Sequence, residues 1–371
     1  MTIQDRIQLR PHPLTELLAR LLAAHGCSAE EAAHVARHLV EASCSGHDSH
    51  GIVRIRRYHD WLQSGQLVAC APFAQVADLG ALMQFDGGNG LGQWAAHRAT
   101  SAGMQRAQDQ GAAVVLLRRA GHIGRVGAFA EQAAEQGIIS LFFTNVAGSR
   151  LVAPFGAAER AASTAPVTVG VPQANGQHFI LDFATSLVAE GKALVAAKSG
   201  STLPGDALVD ANGALTGDPA VLYGETLSAP TPNPRTGDGA LRSFGGHKGS
   251  GLMLACELLG GALTGNGTNG PAGHRFGNGM FAVFIDPAHC DNPGGIAGEI
   301  AEYLAFVNGL TPAQGHDAVR IPGDSEREMR AARASSVPVA AAVWSDILAI
   351  AADLGLAVDQ QSLRAAEPAR I

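Results

Sequence analysis

The sequence predicts a mixed α/β (α+β) fold in which helical N- and C-terminal parts lie around a central mixed sheet. Leucines repeat at helical spacing between residues 14 and 22. Helical patterns return near the C-terminus, from about Ser325 to Ala332 and from Ala340 to Leu354. The centre instead contains short apolar runs of strand length, such as 113–117 and 138–144. From this order we expect the two terminal parts to pack together.

Local signals divide the N-terminal part into three predicted helices. Gly26 is a typical stop after the leucine-rich helix. Ser28 followed by Glu31 forms a capping-box pattern, which predicts the start of a second helix. A third helix is predicted from about Ser49 to Leu62.

The middle of the chain is predicted to alternate strands, helices and loops. Asn175 and Gly176 lie between two apolar runs and predict a β-hairpin. The stretch from Pro204 to Arg242 is rich in Gly, Pro, Asp and Thr, so it is predicted to be mostly loop. The remaining predictions are a strand at 113–117, a loop at 118–124, a helix at 126–136, a strand at 138–144, hairpin strands at 167–171 and 178–182, a helix at 187–198, an apolar helix at 249–263 and a strand at 281–285.

Length and composition limit the kind of protein. At 371 residues the chain is long enough for two or three domains, and 46% hydrophobic residues suffice for a sizeable core. A net charge of −7 argues against a broad basic surface for nucleic acid. The five cysteines form no CxxC pair, which favours reduced, buried thiols. Segment 1–10 lacks a signal-peptide core and no apolar run reaches the ~18 residues of a membrane span, so we expect a cytoplasmic protein without membrane or nucleic-acid partners.

The first segment that points to chemistry is 46–58. If a helix begins just before His50, then His50, Arg54 and Tyr58 lie four residues apart and share one face. An arginine can bind a carboxylate through two hydrogen bonds, and an imidazole exchanges a proton near neutral pH. This face predicts a site for a small carboxylate substrate, although a solvated polar face has the same spacing. A metal site on His47 and His50 lacks an acidic partner, so we predict no metal.

The second segment, 121–127, places His122 in the loop between a predicted strand and a predicted helix. Loops at strand ends are frequent ligand sites. The Gly-x-x-Gly-x-x-Gly spacing here is not the GxGxxG dinucleotide fingerprint, and no acidic residue follows about 20 positions later at a strand end. The sequence therefore excludes an ordinary Rossmann site and leaves His122 as either a site residue or a structural histidine.

The third segment, 182–186, ends a predicted hairpin strand and precedes a predicted helix. Thr185 and Ser186 are suited to capping that helix. The alternative is functional: Asp182 orients a catalytic histidine or contacts a cofactor, while the small Ala184 and Thr185 let a flat ring approach closely.

The fourth segment, 244–251, is the most informative. Four glycines surround Lys248 at the predicted start of the apolar helix. Free N–H groups, the helix dipole and the lysine charge favour an anion there, such as a pyrophosphate or a 2′-phosphate. The pattern is not a Walker A loop, because GxxxxGK[ST] is absent. A flexible turn with a surface lysine is the alternative.

Together these segments resemble the type-2 malate/L-lactate dehydrogenase family, which also includes ureidoglycolate dehydrogenase, diketogulonate reductase and cyclic imino-acid reductases. The resemblance spans nearly the whole chain and is strongest to the hydroxycarboxylate dehydrogenase B branch. The motifs that carry it are Gly46-His47-Asp48-Ser49-His50-Gly51, His122-Ile123-Gly124-Arg125, Asp182-Phe183-Ala184-Thr185-Ser186 with Gly191-Lys192, Gly246-His247-Lys248-Gly249, residues 256–263 and Ile321-Pro322-Gly323.

The resemblance implies a non-Rossmann fold, NAD or NADP as cofactor, and a homodimer whose active site is built at the subunit contact. It implies that His50 or His122 is the acid/base residue, with Ser49 and Asp182 also catalytic. Arg54 and Tyr58 match substrate-binding positions. The matching cofactor-contacting positions are Asn145, Asp182, Phe183, Ala184, Thr185, His247, Lys248, Gly249, Gly323, Asp324 and Ser325.

The resulting hypothesis is hydride transfer between a nicotinamide and C2 of a small 2-oxo or 2-hydroxy acid of the malate, lactate or aryl-lactate type. The alternatives are an NADPH-dependent reductase of cyclic imino acids and a cofactor-binding protein without catalytic activity. The chain departs from the family with Ala165 where Thr-Asn-Pro is common and Gly217 where Thr-Thr-Asp-Pro is frequent. Both departures leave the four segments intact.

We predict three domains, two of them discontinuous. Residues 1–75 with 320–371 are expected to form a helical domain for substrate binding and dimer contact. Residues 76–120 with 240–319 are expected to form a mixed α/β domain, and 121–239 a cofactor-binding sheet domain.

Overall fold

A computed structural model describes residues 6–228, 233–271 and 273–365 of the protein. Three parts of the sequence predictions lie outside these ranges: 1–5 of the polar N-terminus, 229–232 of the long loop and 366–371 of the helical domain. Within the described ranges, every helix is too short or too polar to cross a bilayer.

Helices and strands alternate through the centre, with helices dominant at both ends. The helices are α1 (Pro11–Ala24), α2 (Ala29–Cys44), α3 (Ile55–Gln63), α4 (Gly92–Gln110), α5 (Gly127–Ala134), α6 (Glu190–Ser199), α7 (Ala220–Tyr223), α8 (His247–Ala255), α9 (Pro293–Asn308), α10 (Asp324–Ala332), α11 (Ala341–Asp353) and α12 (Gln360–Leu363). The strands are β1 (Arg6–Leu9), β2 (Ala74–Leu79), β3 (Leu82–Asp86), β4 (Ala112–Ala120), β5 (Ile139–Ala147), β6 (Val152–Ala153), β7 (Pro166–Val171), β8 (Phe179–Ala184), β9 (Leu208–Val209), β10 (Leu215–Thr216), β11 (Ala240–Arg242), β12 (Gly277–Ile285) and β13 (Val337–Ala340).

A seven-stranded sheet forms the centre, in the order β2-β3-β4-β12-β5-β7-β8. Neighbouring strands are antiparallel except for the parallel pair β3 and β4. The predicted hairpin is present as β7 and β8. A doubly wound dinucleotide-binding sheet is mostly parallel, so this arrangement confirms the predicted non-Rossmann, mixed fold.

The two ends of the chain pack together, as expected. Strand β1 pairs with β13 in an antiparallel two-stranded sheet. One hydrophobic core combines leucines of α1, including Leu14 and Leu18, with Val35 of α2 and with Trp344 and Ile350 of α11. Burial of these side chains from both ends fixes the N-terminal helices against the C-terminal ones.

Two other cores support the sheet and a smaller lobe. Helices α4 and α5 cover the seven-stranded sheet through small or aromatic residues such as Ala99 and Phe129. A four-stranded sheet, β10-β9-β11-β6, has its own core with Leu208, Tyr223 and Met253. The seven-stranded sheet contains strands from two of the predicted domains, 76–120 with 240–319 and 121–239. The boundaries of the three domains stay a prediction.

The predicted third helix, Ser49 to Leu62, is wrong in its first part. Two single 3-10 turns, Asp48–His50 and Ile52–Arg54, precede α3. Gly51 separates them with ψ near −145°. A Cβ at Gly51 would lie 2.0 Å from Ser43 Oγ, and that hydroxyl accepts a hydrogen bond from Ile52 N. The close contact with α2 therefore interrupts the helix, and His50 does not share a helix face with Arg54 and Tyr58.

Other differences concern elements with weak local signals. The sequence analysis missed β1, β2, β3, β6, β13, α4, α9 and α12. The stretch 204–242, predicted to be mostly loop, also contains the short β9, β10, α7 and β11. The predicted apolar helix at 249–263 begins slightly earlier, as α8, and becomes a π-helix from Cys256 to Leu263. The capping box is half formed: Ser28 Oγ accepts from Glu31 N, whereas the Glu31 carboxylate accepts from Cys70 N.

Gly103 of α4 provides a test of how closely this helix packs on the sheet. A Cβ there would lie 2.4 Å from the Phe284 ring and 2.8 Å from Val115. We expect Gly103→Ala to lower the free energy of unfolding by about 1–3 kcal/mol through overpacking, as measured by urea denaturation. Gly251→Ala in α8 is the control, because Gly251 is exposed, no atom lies within 4 Å of its Cβ and alanine favours helix. Equal effects of the two variants would contradict the packing.

Candidate active site

His50, His122 and Tyr58 form a hydrogen-bonded column in the interior. His50 Nδ1 lies 3.1 Å from His122 Nε2, and the Tyr58 hydroxyl lies 2.6 Å from His122 Nδ1. The two imidazole rings are nearly parallel, with an angle of 3° and centroids 5.2 Å apart. The structure therefore brings together three residues that the sequence placed in two separate segments.

The position of His122 depends on contacts of the loop after β4. Ile123 N donates to Asn278 Oδ1 at 3.0 Å, which ties this loop to β12. A Cβ at Gly92 would lie 2.3 Å from the Gly121 carbonyl oxygen, so only glycine lets the start of α4 approach so closely. His122 is 9% exposed as a result.

Burial makes the column electrically neutral at physiological pH. Desolvation, with the neighbouring Arg54 next in importance, lowers the pKa of His50 to about 3. The same two causes place the pKa of His122 well below its ordinary value. Desolvation raises the pKa of Tyr58, so its phenol keeps its proton. Neutral imidazoles beside arginines are suited to contact with an anionic ligand.

Arg54 lies next to this column and is half-buried. Its Nε donates to the Ser49 carbonyl oxygen at 2.5 Å, which holds the guanidinium beside the turn that carries His50. Its charge interacts with those of Arg57, Arg235 and Glu190. The excess of positive charge gives this region the electrostatics of a carboxylate site.

Ser49 lies where the N-terminus of α6 meets the His50 turn. A Cβ at Gly191 would be 3.4 Å from Ser49 Cβ. The N-cap of α6 is Ala189, without a side-chain hydrogen bond. The prediction that Thr185 and Ser186 cap this helix is therefore wrong.

The Asp182 carboxylate binds the start of α5 and not a histidine. One oxygen accepts from Gly127 N at 2.7 Å and the other from Thr168 Oγ1 at 2.8 Å. A carboxylate at a helix N-terminus is stabilised by the helix dipole. The structure thus corrects the expectation that Asp182 orients a catalytic histidine, while its cofactor contact stays a prediction.

The third and fourth sequence segments are neighbours in space. Phe244 N donates to the Thr185 carbonyl oxygen at 3.0 Å, and the rings of Phe183 and Phe244 meet edge to face at 5.3 Å. Ala184 ends β8 directly before this contact. The strand end and the glycine-rich loop therefore form one continuous surface.

The glycine-rich loop ends at the N-terminus of α8. Gly245 and Gly246 have positive φ, and a Cβ at Gly249 would lie 2.1 Å from the Phe244 carbonyl oxygen. His247 and Lys248 are exposed in the first turn. The expected free N–H groups are not found, because the N–H groups of Lys248, Gly249 and Ser250 donate to the carbonyl oxygens of Gly245, Phe244 and Gly246. The exposed Lys248 side chain at this helix start remains as the group that fits a phosphate.

Gly323, Asp324 and Ser325 begin α10 beside the edge strand β8. Ile180 N donates to the Pro322 carbonyl oxygen at 3.1 Å. Gly323 adopts φ of 102°, and a Cβ there would lie 3.0 Å from the His178 carbonyl oxygen. The Asp324 carboxylate accepts from Ile321 N at 2.8 Å and also binds Arg327. This segment therefore lies along the same strand as Asp182.

Asn145 lies in a buried polar network under the π-helix. Its amide nitrogen donates to Glu257 Oε2 and to the Gly267 carbonyl oxygen, both at 3.2 Å. Its amide oxygen accepts from Asn266 Nδ2 at 2.9 Å. Because protein groups occupy these atoms, the geometry offers no support for the cofactor contact predicted for Asn145.

Sequence reasoning missed a buried ion network that links α10 to the site. Arg125 is 2% exposed and binds Glu131, whose oxygens also accept from Arg330 at 2.7 Å. His47 Nε2 lies 3.0 Å from Glu326 Oε1 in the same region. Burial opposes the charge of Glu131, but Arg125 and Arg330 hold its pKa below the ordinary value. Arg125 belongs to the motif at 122–125, but nothing in the sequence indicated its partners.

Glu131→Gln tests this network. Removal of one charge leaves the buried Arg125 without its counter-charge, so we expect a loss of about 3–5 kcal/mol in unfolding free energy at pH 7. Because the folded pKa of Glu131 is lowered, the difference from the wild type should persist above the unfolded pKa and vanish as pH falls through the folded one.

Urea denaturation across pH measures this difference, with the exposed Glu328→Gln as control. Glu328 pairs with Arg320 at the surface, where an ion pair is worth about 0–1 kcal/mol. Equal losses in the two variants, or a difference independent of pH, would contradict the network.

The chain is similar to several known proteins along most of its length. It is 35% identical to the L-lactate dehydrogenase of Cupriavidus necator, over 92% of this chain and 97% of that protein. It is 34% identical to hydroxycarboxylate dehydrogenase B of Escherichia coli, over 89% and 90%. It is also 34% identical to a Delta(1)-pyrroline-2-carboxylate/Delta(1)-piperideine-2-carboxylate reductase of Pseudomonas syringae pv. tomato, over 74% and 78%.

The fold agrees with these relationships. The sulfolactate dehydrogenase of Methanocaldococcus jannaschii superimposes with a TM-score of 0.84 at 29% identity, covering 95% of this chain and 99% of that one. The profile of the malate/L-lactate dehydrogenase family matches residues 9–348. The chain therefore belongs to the malate/L-lactate dehydrogenase family, as the sequence motifs indicated.

Proposed function

We propose that this protein is an NAD(P)-dependent oxidoreductase that interconverts small 2-oxo and 2-hydroxy acids. The observation that carries the proposal is the neutral His50–His122–Tyr58 column beside the half-buried Arg54. A proton-exchanging group next to a carboxylate-binding group is what reduction of a 2-oxo acid requires. Family membership and the names of the relatives support the same class of reaction.

Substrate binding is assigned to Arg54 and the residues around it. The guanidinium receives the carboxylate, and the charges of Arg57 and Arg235 strengthen the attraction. The negative charge of Glu190 also acts on Arg54 and offsets part of the excess positive charge. With the carboxylate on Arg54, the neighbouring 2-oxo group lies on the side of the imidazoles.

The chain's chemical role is to move one proton. Reduction of the 2-oxo group adds a hydride at C2 and a proton at oxygen, and a bound reduced nicotinamide supplies the hydride. His50 or His122 exchanges the proton, while Tyr58 holds His122 in place. In the opposite direction the hydroxyl proton returns to the same pair.

The surface formed by the end of β8 and the start of α8 fits a dinucleotide. Lys248 in the first turn of α8 is the group that we assign to phosphate binding, assisted by the positive end of the helix dipole. The small Ala184 and Thr185 would admit a flat ring. Asp182 and the segment 323–325 lie along the same strand and complete the assignment. Both NAD and NADP are compatible with it.

Reduction of a cyclic C=N bond is the second candidate. The Pseudomonas relative is named as a reductase of such imino acids. Those substrates also carry a carboxylate, so Arg54 would have the same role and the histidine pair would protonate nitrogen in place of oxygen.

A homodimer is also part of the proposal, through α9. None of the side chains of Pro293–Asn308 is buried in the single chain, and Tyr303 and Phe306 are 64% and 62% exposed. An apolar helix without cover is typical of a subunit interface. A second copy of this chain is its proposed partner, and a cytoplasmic location remains the expectation.

The direct test of activity is a screen with NADH and NADPH. Pyruvate, oxaloacetate, an aryl-pyruvate and a cyclic imino acid are the substrates. We expect turnover with at least one 2-oxo acid. Turnover with the imino acid alone would favour the second candidate, and cofactor binding without turnover on any substrate would overturn the proposal.

Arg54→Met tests carboxylate recognition with the preferred substrate. Loss of charge-assisted hydrogen bonds should raise KM by about 10- to 100-fold. Arg56→Met is the matched control, because Arg56 is exposed and pairs with Asp60. A KM for Arg54→Met within about twofold of the wild type would remove Arg54 from the substrate site.

Phe306→Glu tests the dimer. A glutamate in an apolar contact has to be desolvated without a partner, so we expect a monomer in sedimentation experiments at concentrations where the wild type is a dimer. Leu79→Glu is the control, since Leu79 is 74% exposed at the end of β2. A wild-type monomer, or an unchanged dimer in Phe306→Glu, would contradict the assignment.

A further inference from the structure

The histidine column does not end at Tyr58. Gln93, in the first turn of α4, has no exposed surface, and its amide nitrogen donates to the Tyr58 hydroxyl oxygen at 2.6 Å. The position of Gln93 follows from Gly92, whose contact with the Gly121 carbonyl brings α4 against the loop of His122. The full column is Gln93–Tyr58–His122–His50.

With the Gln93 amide nitrogen on the Tyr58 hydroxyl, the chemistry of the other members fixes where their protons lie. An amide nitrogen can only donate, so the Tyr58 oxygen accepts from Gln93 and uses its own proton toward His122 Nδ1. A neutral imidazole has one donor and one acceptor nitrogen. His122 therefore carries its proton on Nε2 and donates to His50 Nδ1. His50 in turn carries its proton on Nε2.

The two histidines differ in whether a ring nitrogen remains without a hydrogen bond. Both ring nitrogens of His122 are engaged, one with Tyr58 and the other with His50. His50 Nε2 has no hydrogen-bond partner among the described residues. Only His50 can bind a ligand atom without breaking the column.

We infer that Gln93 is a positioning residue that sets the proton arrangement of the column, so that His50, through its Nε2–H, contacts the substrate oxygen and His122 acts only through His50. The inference rests on the proposed function for its substrate, but the arrangement of protons is a property of the protein alone.

A glutamine also suits a reversible reaction. Oxidation of a hydroxy acid needs His50 Nε2 as an acceptor, so the hydrogen bonds of the column must first take the reverse arrangement. The proton that the half-exposed His50 then accepts passes to solvent, because the Gln93 amide at the other end cannot take it up. Gln93 Oε1 is buried without a partner among the described residues, so rotation of the amide exchanges a donor for an acceptor toward Tyr58 and breaks no other bond of that oxygen. A purely apolar side chain at this position supports neither arrangement.

The first test is nitrogen NMR of protein labelled at histidine, without substrate or cofactor. This spectrum distinguishes the two neutral tautomers, and His50→Asn and His122→Asn assign the two rings. We expect the Nε2–H form at both rings in the wild type. An Nδ1–H form at either ring would overturn the inference, whatever the activity screen shows.

The second test is Gln93→Met, which keeps the size of the side chain and removes the donor. We expect kcat to fall by about tenfold or more while KM for the 2-oxo acid and cofactor affinity change less than about twofold. The NMR signal of His122 should shift toward a mixture of tautomers. Gln132→Met is the matched control, because Gln132 contacts His97 away from the column.

A double variant separates positioning from loss of structure. If Gln93 acts through Tyr58, adding Gln93→Met to Tyr58→Phe should cost less than about twofold further in kcat. The inference would be contradicted if the loss of kcat in the double variant equalled the product of the two single losses. A signal of one pure His122 tautomer in Gln93→Met would also contradict it. A wild type without any turnover would sink the proposed function, while the tautomers would still decide the arrangement of protons.

Discussion

The chemistry proposed here depends on one pair of hydrogen bonds, those that occupy both nitrogens of the buried His122. In the interior an unpaired imidazole nitrogen is costly, so the contacts with Tyr58 and His50 hold the ring in one orientation. The same burial keeps the pair neutral, because desolvation and Arg54 together disfavour added positive charge. Neutrality in turn is what gives each ring a definite donor and a definite acceptor.

Close backbone contacts make this column possible. Gly92 lets α4 meet the loop of His122, and Gly51 lets the His50 turn lie against α2. Gly249 does the same where α8 meets Phe244. Each contact excludes a Cβ, so the glycines bring together elements that would otherwise stand farther apart. The buried ions around Arg125 then attach α10 to the same region.

Many of the helices and strands could be predicted from the sequence, but not the contacts between them. Leucine periodicity and the hairpin signal predicted α1, β7 and β8, because those patterns are local. The missed α4 is rich in small residues, and its partner Phe284 lies far along the chain. Gln93 lies in this missed helix and belongs to no recognisable sequence motif.

The site shows the same limit. The sequence motifs identified His50, His122, Arg54 and Tyr58 as candidate residues. In the structure, His50, His122 and Tyr58 are joined by hydrogen bonds. Their supposed common helix was wrong, since the break at Gly51 is caused by Ser43 on another helix. The partners of Asp182 were equally hidden, because Gly127 and Thr168 approach it only through the sheet and α5.

The central claim is that the column and Arg54 together hold a 2-oxo acid. The most direct measurement is a crystal structure with reduced cofactor and oxamate, a stable mimic of a small 2-oxo acid. We predict the oxamate carboxylate on Arg54 and its amide carbonyl oxygen within hydrogen-bond distance of His50 Nε2. Oxamate bound elsewhere, or held by His122 with the bond to Tyr58 broken, would contradict the account.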